Sequence, residues 1–238
     1  MASTQLSTAG FDTSLPGTPQ SCWDTLERRA WQPDHRSIIV VAPHPDDETL
    51  GAGGLIHRYA QRQRRVTVIS VTDGEAACPE INDLARIRHA ELRDALGRLS
   101  AGHVEIIQLG IPDGRVGEHR ASLAGTLKAV ASDDSLIVAP FEHDGHPDHD
   151  AAGEVAIQIA REQGFPLATY PIWAWHQATP KTFSGRNLVE LSLSTAAQAA
   201  KRNALRCYNS QLRDRPGGAI VPPHVLTYFD RPYEAFVI

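Results

Sequence analysis

Four side chains of the kinds that bind metal ions lie within five consecutive residues. His44, Asp46, Asp47 and Glu48 follow the apolar run SIIVVAP (37–43) in the sequence H-P-D-D-E. An imidazole offers a neutral nitrogen and a carboxylate a hard oxygen, and a bound cation relieves the repulsion between neighbouring acids. The alternative is that the acids favour the N-terminus of the following helix. On these residues alone, a metal site is favoured over a helix cap.

The glycines behind this cluster do not form a phosphate-binding loop. Gly51, Gly53 and Gly54 do not follow the G-x-G-x-x-G spacing, which dinucleotide-binding folds use to bring a helix N-terminus to a pyrophosphate. The three acids at the same turn would repel a phosphate group. The sequence therefore argues against dinucleotide binding.

A second cluster, F-E-H-D-G-H-P-D-H-D (141–150), follows the apolar run LIVAP (136–140). His146 and His149 are three residues apart at the start of a predicted helix, so both can face one site. A solvated acidic turn with incidental histidines is the alternative. Because H-P-D-D and H-P-D-H follow two strands of one predicted sheet, we expect the two clusters to form a single site.

Together the clusters supply two histidines and one carboxylate as metal ligands, from His44, Asp47 and His149. Three protein ligands with a fourth position open are typical of a catalytic zinc site. The same set also describes a non-haem Fe2+ site, so Fe2+ stays open as an alternative. Asp46 is left as a spare carboxylate that could deprotonate activated water, and His146 as a spare imidazole. These two residues favour hydrolysis.

Apolar runs alternate with helix-period stretches along the chain. The predicted strands are 37–43, 66–72, 104–110, 136–140 and 168–175, and the predicted helices are 51–64, 83–99, 121–131, 151–162 and 195–207. This alternation predicts one α/β, Rossmann-like domain with a mostly parallel sheet and helices on both faces. Ligands of such sheets bind at the carboxyl ends of the strands, which is where both clusters lie.

Residues 1–35 are predicted to be a flexible leader containing one short helix, and 36–238 the catalytic domain. The first 20 residues hold seven Ser or Thr, two Pro and two Gly with little apolar content, a composition typical of flexible segments. A helix over 21–31, capped by Ser21, would present Trp23 and Trp31 to the body.

The composition indicates a folded protein without a polyanionic partner. Of the 238 residues 42% are hydrophobic, and the net charge is −5, which argues against nucleic-acid and membrane-surface binding. No apolar stretch is long enough to span a membrane, and no secretory signal is recognisable. The three cysteines are widely spaced, so we expect free thiols and a cytoplasmic location.

The two motifs resemble those of the PIG-L/LmbE-like superfamily of zinc-dependent deacetylases, which act on N-acetylglucosamine-type amides. The family's P-H-P-D-D-E is present at 43–48 and its H-P-D-H at 146–149. The resemblance extends over residues 40–238 through four shorter motifs: T-D-G-E at 72–75, R-x-x-E at 88–91, L-G-x-P-D-G at 109–114 and Y-N-S-Q at 208–211.

The resemblance implies an LmbE-like fold and a role for each matching residue. Zinc would be bound by His44, Asp47 and His149. Asp46 would be the general base, and His146 would stabilise the oxyanion, as an imidazolium, or serve as the acid. Asp148 would orient His146 by a hydrogen bond, and Arg88 would contact the sugar. The expected reaction is hydrolysis of an acetamide on an amino sugar or glycoconjugate.

Further candidates for the substrate site follow the predicted strands. Trp173 could stack on a pyranose ring or pack in the core, His176 could form a wall of the site, and Asp73 could line the same crevice. Asp144 is a departure, because some thiol-cofactor members of the family carry a tyrosine at this position. It weakens the match to the mycothiol-pathway enzymes.

Alternative functions stay open on the sequence. A hydratase or other lyase, an amidase for a larger acyl group, or an Fe2+ oxygenase could use the same ligands. A sugar-binding module without activity is disfavoured, because it has no need of Asp46 and His146. No oligomeric state is predicted.

Overall fold

One sheet of eight strands organises the part of the protein that the computed structural model describes, residues 15–78, 80–100, 104–213 and 218–238. The strands are β1 (Arg29–Ala30), β2 (Ser37–Ala42), β3 (Arg65–Ser70), β4 (Val104–Gln108), β5 (Ser135–Pro140), β6 (Leu167–Tyr170), β7 (Leu188–Ser192) and β8 (Tyr233–Val237). Their order is β1-β7-β8-β6-β5-β2-β3-β4, and β8 alone runs antiparallel to its neighbours within this sheet. The predicted single α/β domain with a mostly parallel sheet is confirmed.

Helices cover both faces of the sheet. They are α1 (Gln20–Trp23), α2 (Asp47–Gln61), α3 (Leu84–Ser100), α4 (Arg120–Val130), α5 (Pro147–Gln163), α6 (Ala174–Gln177), α7 (Thr195–Leu205), α8 (Asn209–Leu212) and α9 (Pro223–Leu226). Helices α2, α3 and α7 contact one another on one face, and α4 packs on α5 on the other. The five predicted helices are all present, with ends shifted by a few residues.

Alternation of side chains along β2 explains why the sheet is buried on both faces. Ile38 and Val40 belong to the apolar cluster under α2 and α3, whereas Ile39 and Val41 belong to the cluster under α4 and α5. Successive residues of a strand point to opposite faces. An uninterrupted β-branched run therefore supplies two cores at once.

The described part of the predicted leader lies against the body rather than apart from it. The helix expected over 21–31 is only the four residues of α1, with Pro19 instead of Ser21 at the N-cap. Trp23 is fully buried, and β1 pairs in parallel with β7. Trp31 packs on Phe236, with ring centroids 5.0 Å apart. Residues 1–14 lie outside the described residues.

The last predicted strand is shorter than expected. The strand predicted over 168–175 ends at Tyr170, because the next residues turn into α6. The carboxylate of Asp144 accepts hydrogen bonds from the backbone N–H groups of Ile172, Trp173 and Ala174, at 2.8, 2.9 and 3.0 Å. These N–H groups are thus withdrawn from strand pairing.

The order in which the strands are added to the sheet reverses at β2, which lies between β5 and β3. From β2 the chain continues to β3 and β4 on one side, and later to β5 and β6 on the other. Such a switch point opens a crevice at the carboxyl ends of the strands. Among the described residues no helix is long and apolar enough to cross a membrane, and none of the three cysteines forms a disulfide bond.

Candidate metal and catalytic site

Three side chains from the two motifs converge at the switch point. Nδ1 of His44 lies 3.2 Å from Nε2 of His149 and 3.4 Å from Oδ2 of Asp47. Nε2 of His149 lies 3.2 Å from the same carboxylate oxygen. The three atoms form a nearly equilateral triangle. His44 lies in the turn after β2 and Asp47 at the start of α2, whereas His149 lies in the first turn of α5.

This triangle fits the donor set of a tetrahedral metal site. Ligand atoms bound at about 2.0–2.1 Å in a tetrahedron lie roughly 3.3 Å apart. Two imidazole nitrogens and a carboxylate oxygen are also the atom types that zinc and Fe2+ accept. His44, Asp47 and His149 could therefore hold a divalent cation. Asp47 and His149 are buried, at 2% and 0% exposed, and His44 is partly buried.

Carboxylates stand behind both histidines. Nδ1 of His149 lies 2.8 Å from Oδ2 of Asp144. Nε2 of His44 lies 3.1 Å from Oδ1 of Asp113 and 3.3 Å from Oδ2 of Asp148. A carboxylate facing the second ring nitrogen orients a metal-binding histidine and raises its basicity. Both rings therefore have the partners that a metal ligand needs.

The charges of the cluster reinforce each other. Although burial opposes it, the carboxylate of Asp47 raises the pKa of His149 to about 9. Although burial acts in the opposite direction, the same contact with His149 lowers the pKa of Asp47. The pKa of Asp113 falls to about 2 because its contact with His44 outweighs the effect of burial. The excess of aspartates over histidines makes this pocket favourable for a cation.

Asp46 lines the same cavity but is not one of the three converging ligands. It occupies the N-cap position of α2, yet its side chain makes no capping hydrogen bond. Burial and the negative charge of Asp47 raise the pKa of Asp46 well above its usual range, although Arg88 opposes the shift. A buried carboxylate with a raised pKa suits proton transfer near neutral pH. The helix-cap alternative therefore does not describe this side chain.

His146 stands at the N-cap of α5. Its Nδ1 accepts a hydrogen bond from the backbone N–H of Asp148 at 3.2 Å, which leaves the ring proton of the neutral imidazole on Nε2. Burial, with the nearby charge of His149, lowers the pKa of His146 to about 2. The lowered pKa favours a neutral ring, which could act as a hydrogen-bond donor through Nε2.

Asp148 contacts its surroundings differently from the expectation that it orients His146. Its carboxylate accepts hydrogen bonds from the backbone N–H groups of Gly114 and Val116, at 2.8 and 3.0 Å, and lies against His44. The hydrogen bond between the two residues runs from the Asp148 backbone. Asp148 thus fixes the loop after β4 and the ring of His44.

The cavity is polar on the metal side and apolar on the other. Arg88 lines it, with Nη1 donating to the carbonyl of Gly74 at 2.8 Å. Trp173 also lines it, together with apolar residues near the C-terminus: Ile220, Val221, Val225 and Phe229. Gly74 has φ +63°, and a Cβ there would meet Arg88 at 1.6 Å. Only a glycine brings this backbone so close to the arginine.

Two predicted substrate contacts lie away from the cavity lining. His176 faces His224 and Tyr228, with ring centroids 5.6 and 6.2 Å away. Asp73 is half-buried at the carboxyl end of β3, where burial and the charge of Glu75 raise its pKa. Neither is among the described residues that line the cavity.

The fold brings three further residues to the site. Two of them lie in motifs named in the sequence analysis, Asp113 in L-G-x-P-D-G and Gln211 in Y-N-S-Q, whereas Asp144 was noted only as a departure from a family pattern. The available signal was their position in the segments that follow β4, β5 and α7. Which side chains of those segments face the site depends on tertiary contacts.

Comparison with known protein families agrees with the two motifs. A family profile described as "PIG-L: GlcNAc-PI de-N-acetylase" matches residues 39–160, just over half of the chain. The matched stretch contains all three converging ligands, Asp46 and His146. The chain belongs to this family.

Curated relatives of this PIG-L family chain are named as deacetylases. A Bacillus subtilis protein described as "Probable N-acetyl-alpha-D-glucosaminyl L-malate deacetylase 2" is 32% identical over 185 residues, 73% of this chain and 82% of that protein. A Rhodococcus erythropolis "1D-myo-inositol 2-acetamido-2-deoxy-alpha-D-glucopyranoside deacetylase" is 27% identical over 178 residues, 62% of this chain and 60% of that protein. The chain thus spans less than two thirds of the Rhodococcus protein.

Solved structures share the fold of the PIG-L chain. The N,N'-diacetylchitobiose deacetylase of Pyrococcus horikoshii has a TM-score of 0.64 at 22% identity, and the match covers 86% of this chain and 84% of that one. A Pseudomonas putida 4-carboxy-2-hydroxymuconate hydratase has a TM-score of 0.58 at 18% identity, with 82% of each chain covered. One fold thus serves amide hydrolysis and hydration, and function must be argued from the site.

Proposed function

We propose that this protein hydrolyses the acetamide of an N-acetylglucosamine-type sugar or glycoconjugate with the help of one divalent metal, zinc in preference to Fe2+. The observation that carries the proposal is the triangle of His44, Asp47 and His149 with Asp46 beside it in one cavity. The names of the family and of its curated relatives support the substrate class. Three cysteines without a disulfide bond support a cytoplasmic location.

A cation bound by the three ligands would act as a Lewis acid toward the amide carbonyl and lower the pKa of water. Asp46 takes a proton from the attacking water, whose oxygen forms a bond to the acyl carbon. The Nε2–H of His146 donates to the carbonyl oxygen as negative charge develops there, a contribution of about 3 kcal/mol for a well-placed donor.

The protonated Asp46 then supplies the proton that the leaving nitrogen needs. The C–N bond breaks, the amine leaves with that proton, and the acyl group leaves as a carboxylic acid, which then loses the second proton of the water to solvent or to the amine. Burial raises the pKa of Asp46, so that the carboxyl can act first as the base and then as the acid. Arg88 and Trp173 line the cavity on the substrate side, where a guanidinium can bind sugar hydroxyls and an indole ring can stack on a pyranose.

The direct test is amine release from a panel of N-acetylhexosamines and their conjugates, with and without a chelator. We expect release that the chelator abolishes and that added zinc restores. Acetate should appear in equal amount. Hydration of an unsaturated acid without amine release would favour the hydratase alternative, which the shared fold keeps open. Release from longer N-acyl sugars but not from acetamides would favour the larger-acyl amidase.

The first prediction concerns Asp46. In Asp46→Asn the proton acceptor is lost while the three metal ligands remain, so kcat should fall about 10²–10⁴-fold. Metal content by elemental analysis and thermal stability should match the unmodified protein. Turnover close to normal with metal bound would contradict the assignment of Asp46 as the base.

A further inference from the structure

The peptide bond between Pro45 and Asp46 is held at both of its polar ends. Its carbonyl oxygen accepts a hydrogen bond from Nε2 of Gln211. Its N–H donates to Oε2 of Glu48 at 3.1 Å. Because a peptide unit is planar, two hydrogen bonds at opposite edges fix the direction in which the plane faces.

Asp46 has a backbone conformation that requires such support. Its φ is +134° and its ψ is −28°, in a region that residues with a side chain rarely adopt. Conformations of this kind persist only where the surroundings impose them, and they occur often at functional sites. Rotation of the 45–46 peptide plane changes φ at Asp46, and φ sets the direction of its carboxylate.

Glu48 is itself held in place on the side away from Asp46. Its side chain is fully buried, and its Oε1 accepts hydrogen bonds from the hydroxyl groups of Thr49 and Tyr208. Both of its oxygens therefore have partners, and one of them faces the Asp46 N–H. Tyr208 is also fully buried.

Gln211 is anchored through its helix. It is 1% exposed and lies in α8. The preceding residue, Ser210, donates to the carboxylate of Glu91 on α3 from its backbone N–H at 2.7 Å and from its hydroxyl at 2.6 Å. Helix α8 is thus fixed against α3, and Gln211 projects from it to the turn that carries Asp46.

We propose that Gln211 and Glu48 are positioning residues, which clamp the 45–46 peptide and so hold the Asp46 carboxylate in its reactive orientation. This inference rests on the proposed function, in which Asp46 is the base. In this role neither residue touches the reacting atoms. Loss of the clamp should lower the fraction of time for which Asp46 is correctly aligned, so kcat falls while KM changes little.

The test compares Gln211→Leu, which removes the donor and nearly keeps the size, with Asn209→Ala, a change at an exposed residue of the same helix. We expect Gln211→Leu to lower kcat about 10–100-fold, because small misplacements of a reacting group have effects of this size. KM should change by less than about threefold, and the metal content should be unchanged. Asn209→Ala should stay within about twofold of the unmodified protein.

Three further variants separate positioning from a general structural role. In the Asp46→Asn background, Gln211→Leu should cause no additional loss of kcat, because residues that act as one unit are not additive. Glu48→Gln keeps an acceptor oxygen for the Asp46 N–H, so it should retain far more activity than Glu48→Leu. A full additional loss in the double variant, or a raised KM with unchanged kcat, would overturn the proposal.

A structural readout keeps the clamp testable apart from the activity. Crystal structures of the metal-loaded protein and of Gln211→Leu should differ in the orientation of the 45–46 peptide plane. An unchanged plane in the variant would refute the clamp. If the unmodified protein releases no amine from any substrate, the proposed function fails, and this comparison still decides whether Gln211 holds the peptide.

Discussion

Asp144 connects the metal-facing histidine to the turn behind β6. Its carboxylate accepts three backbone N–H groups at the start of α6 and lies 2.8 Å from Nδ1 of His149. It is 1% exposed. Three N–H groups hold this carboxylate in place, and its short distance to Nδ1 favours one orientation of the imidazole. The orientation of His149 is therefore set by a loop from another strand.

The variant Asp144→Asn should weaken metal binding. The amide keeps one acceptor oxygen, and its NH2 group would face backbone N–H donors and the histidine ring. We expect the affinity for zinc to fall about 10–100-fold, as for other groups that orient metal ligands. Competition with a chromophoric chelator measures this change. Asp150→Asn, in the same segment, is the control and should leave the affinity unchanged.

The protonation of the two histidine ligands predicts how metal binding depends on pH. Although burial opposes it, Asp47 raises the pKa of His149 to about 9, and contacts with Asp113 and Asp148 likewise raise the pKa of His44 against the effect of burial. A metal must displace these protons. Zinc affinity should therefore rise about tenfold per pH unit, for each proton displaced, between roughly pH 6.5 and 9.

The same groups determine the stability of the metal-free protein. A raised pKa in the folded state contributes stability that is complete below the unfolded pKa of about 6.5 and is lost as the pH rises through the folded value. The Tm of the protein freed of metal with a chelator should thus fall as the pH rises from 6.5 to 9.

The zinc affinity and the Tm test the same protonation states. A zinc affinity that is independent of pH over this range would show that His44 and His149 do not hold these protons.

At the scale of elements, α5 approaches the end of β5 so closely that one position tolerates only glycine. A Cβ on Gly153 would lie 2.5 Å from the carbonyl oxygen of Pro140 and 3.0 Å from the backbone of Glu142. Helix α5 carries His149, so this approach also sets the depth at which that ligand reaches the site.

Gly153→Ala should destabilise the protein by about 2 kcal/mol, since backbone atoms cannot yield as a flexible side chain would. For a chain of this size that corresponds to a Tm lower by about 4–8 °C. Gly125→Ala on α4 is the matched control, because a Cβ there meets nothing within 4 Å. Alanine favours a helix over glycine, so this variant should be neutral or more stable. Equal Tm values for the two variants would contradict the close approach.

The elements that sequence reasoning found share strong local signals, and those it missed lack them. Strands β2 to β5 appear in the sequence as apolar runs, and in the helices between them the apolar residues recur at the helical period. Strand β1 has only two residues, both exposed, and β8 follows a segment of short turns and one four-residue helix. Short strands in the outer part of a sheet depend on their neighbours.

Helix α2 shows how tertiary contacts move an element boundary. It begins four residues before the predicted start and is kinked at Ala52. The carboxylate of Glu234 in β8 accepts the N–H groups of Gly54 and Leu55, at 2.7 and 2.9 Å, and Lys201 donates to the carbonyl of Leu50 at 2.8 Å. Side chains far along the chain thus satisfy backbone groups that the kink exposes.

For the whole molecule, the convergence of His44, Asp47 and His149 was predictable because both motifs follow parallel strands of one sheet. The partners behind these ligands were not. Asp113 and Asp144 come from loops whose side-chain directions depend on the packed sheet. Motif spacing therefore identified the chemistry, whereas the geometry that orients it required the fold.

The N-terminal segment is part of that packing. Trp23 is fully buried, and its ring meets Trp175 and Phe183 edge-on, with centroids 5.1 and 6.0 Å apart. Thr18 donates to the carbonyl of His176 from its N–H at 2.8 Å. The segment therefore closes one end of the larger apolar cluster, where the aromatic neighbours of Trp23 come from the C-terminal half of the chain.

Trp23→Ala should lower the free energy of unfolding by about 3–5 kcal/mol, as for other large aromatic side chains removed from a core. The Tm should fall by roughly 10 °C, and trypsin should cleave after Arg28 or Arg29 sooner than in the unmodified protein. Leu15→Ala, at a side chain that is 57% exposed, is the control and should change neither result. At temperatures where the Trp23→Ala protein stays folded, its kcat should be unchanged, because Trp23 does not line the catalytic cavity. A Tm equal to that of the Leu15→Ala control would instead mean that residues 15–35 behave in solution as the flexible leader expected from their sequence.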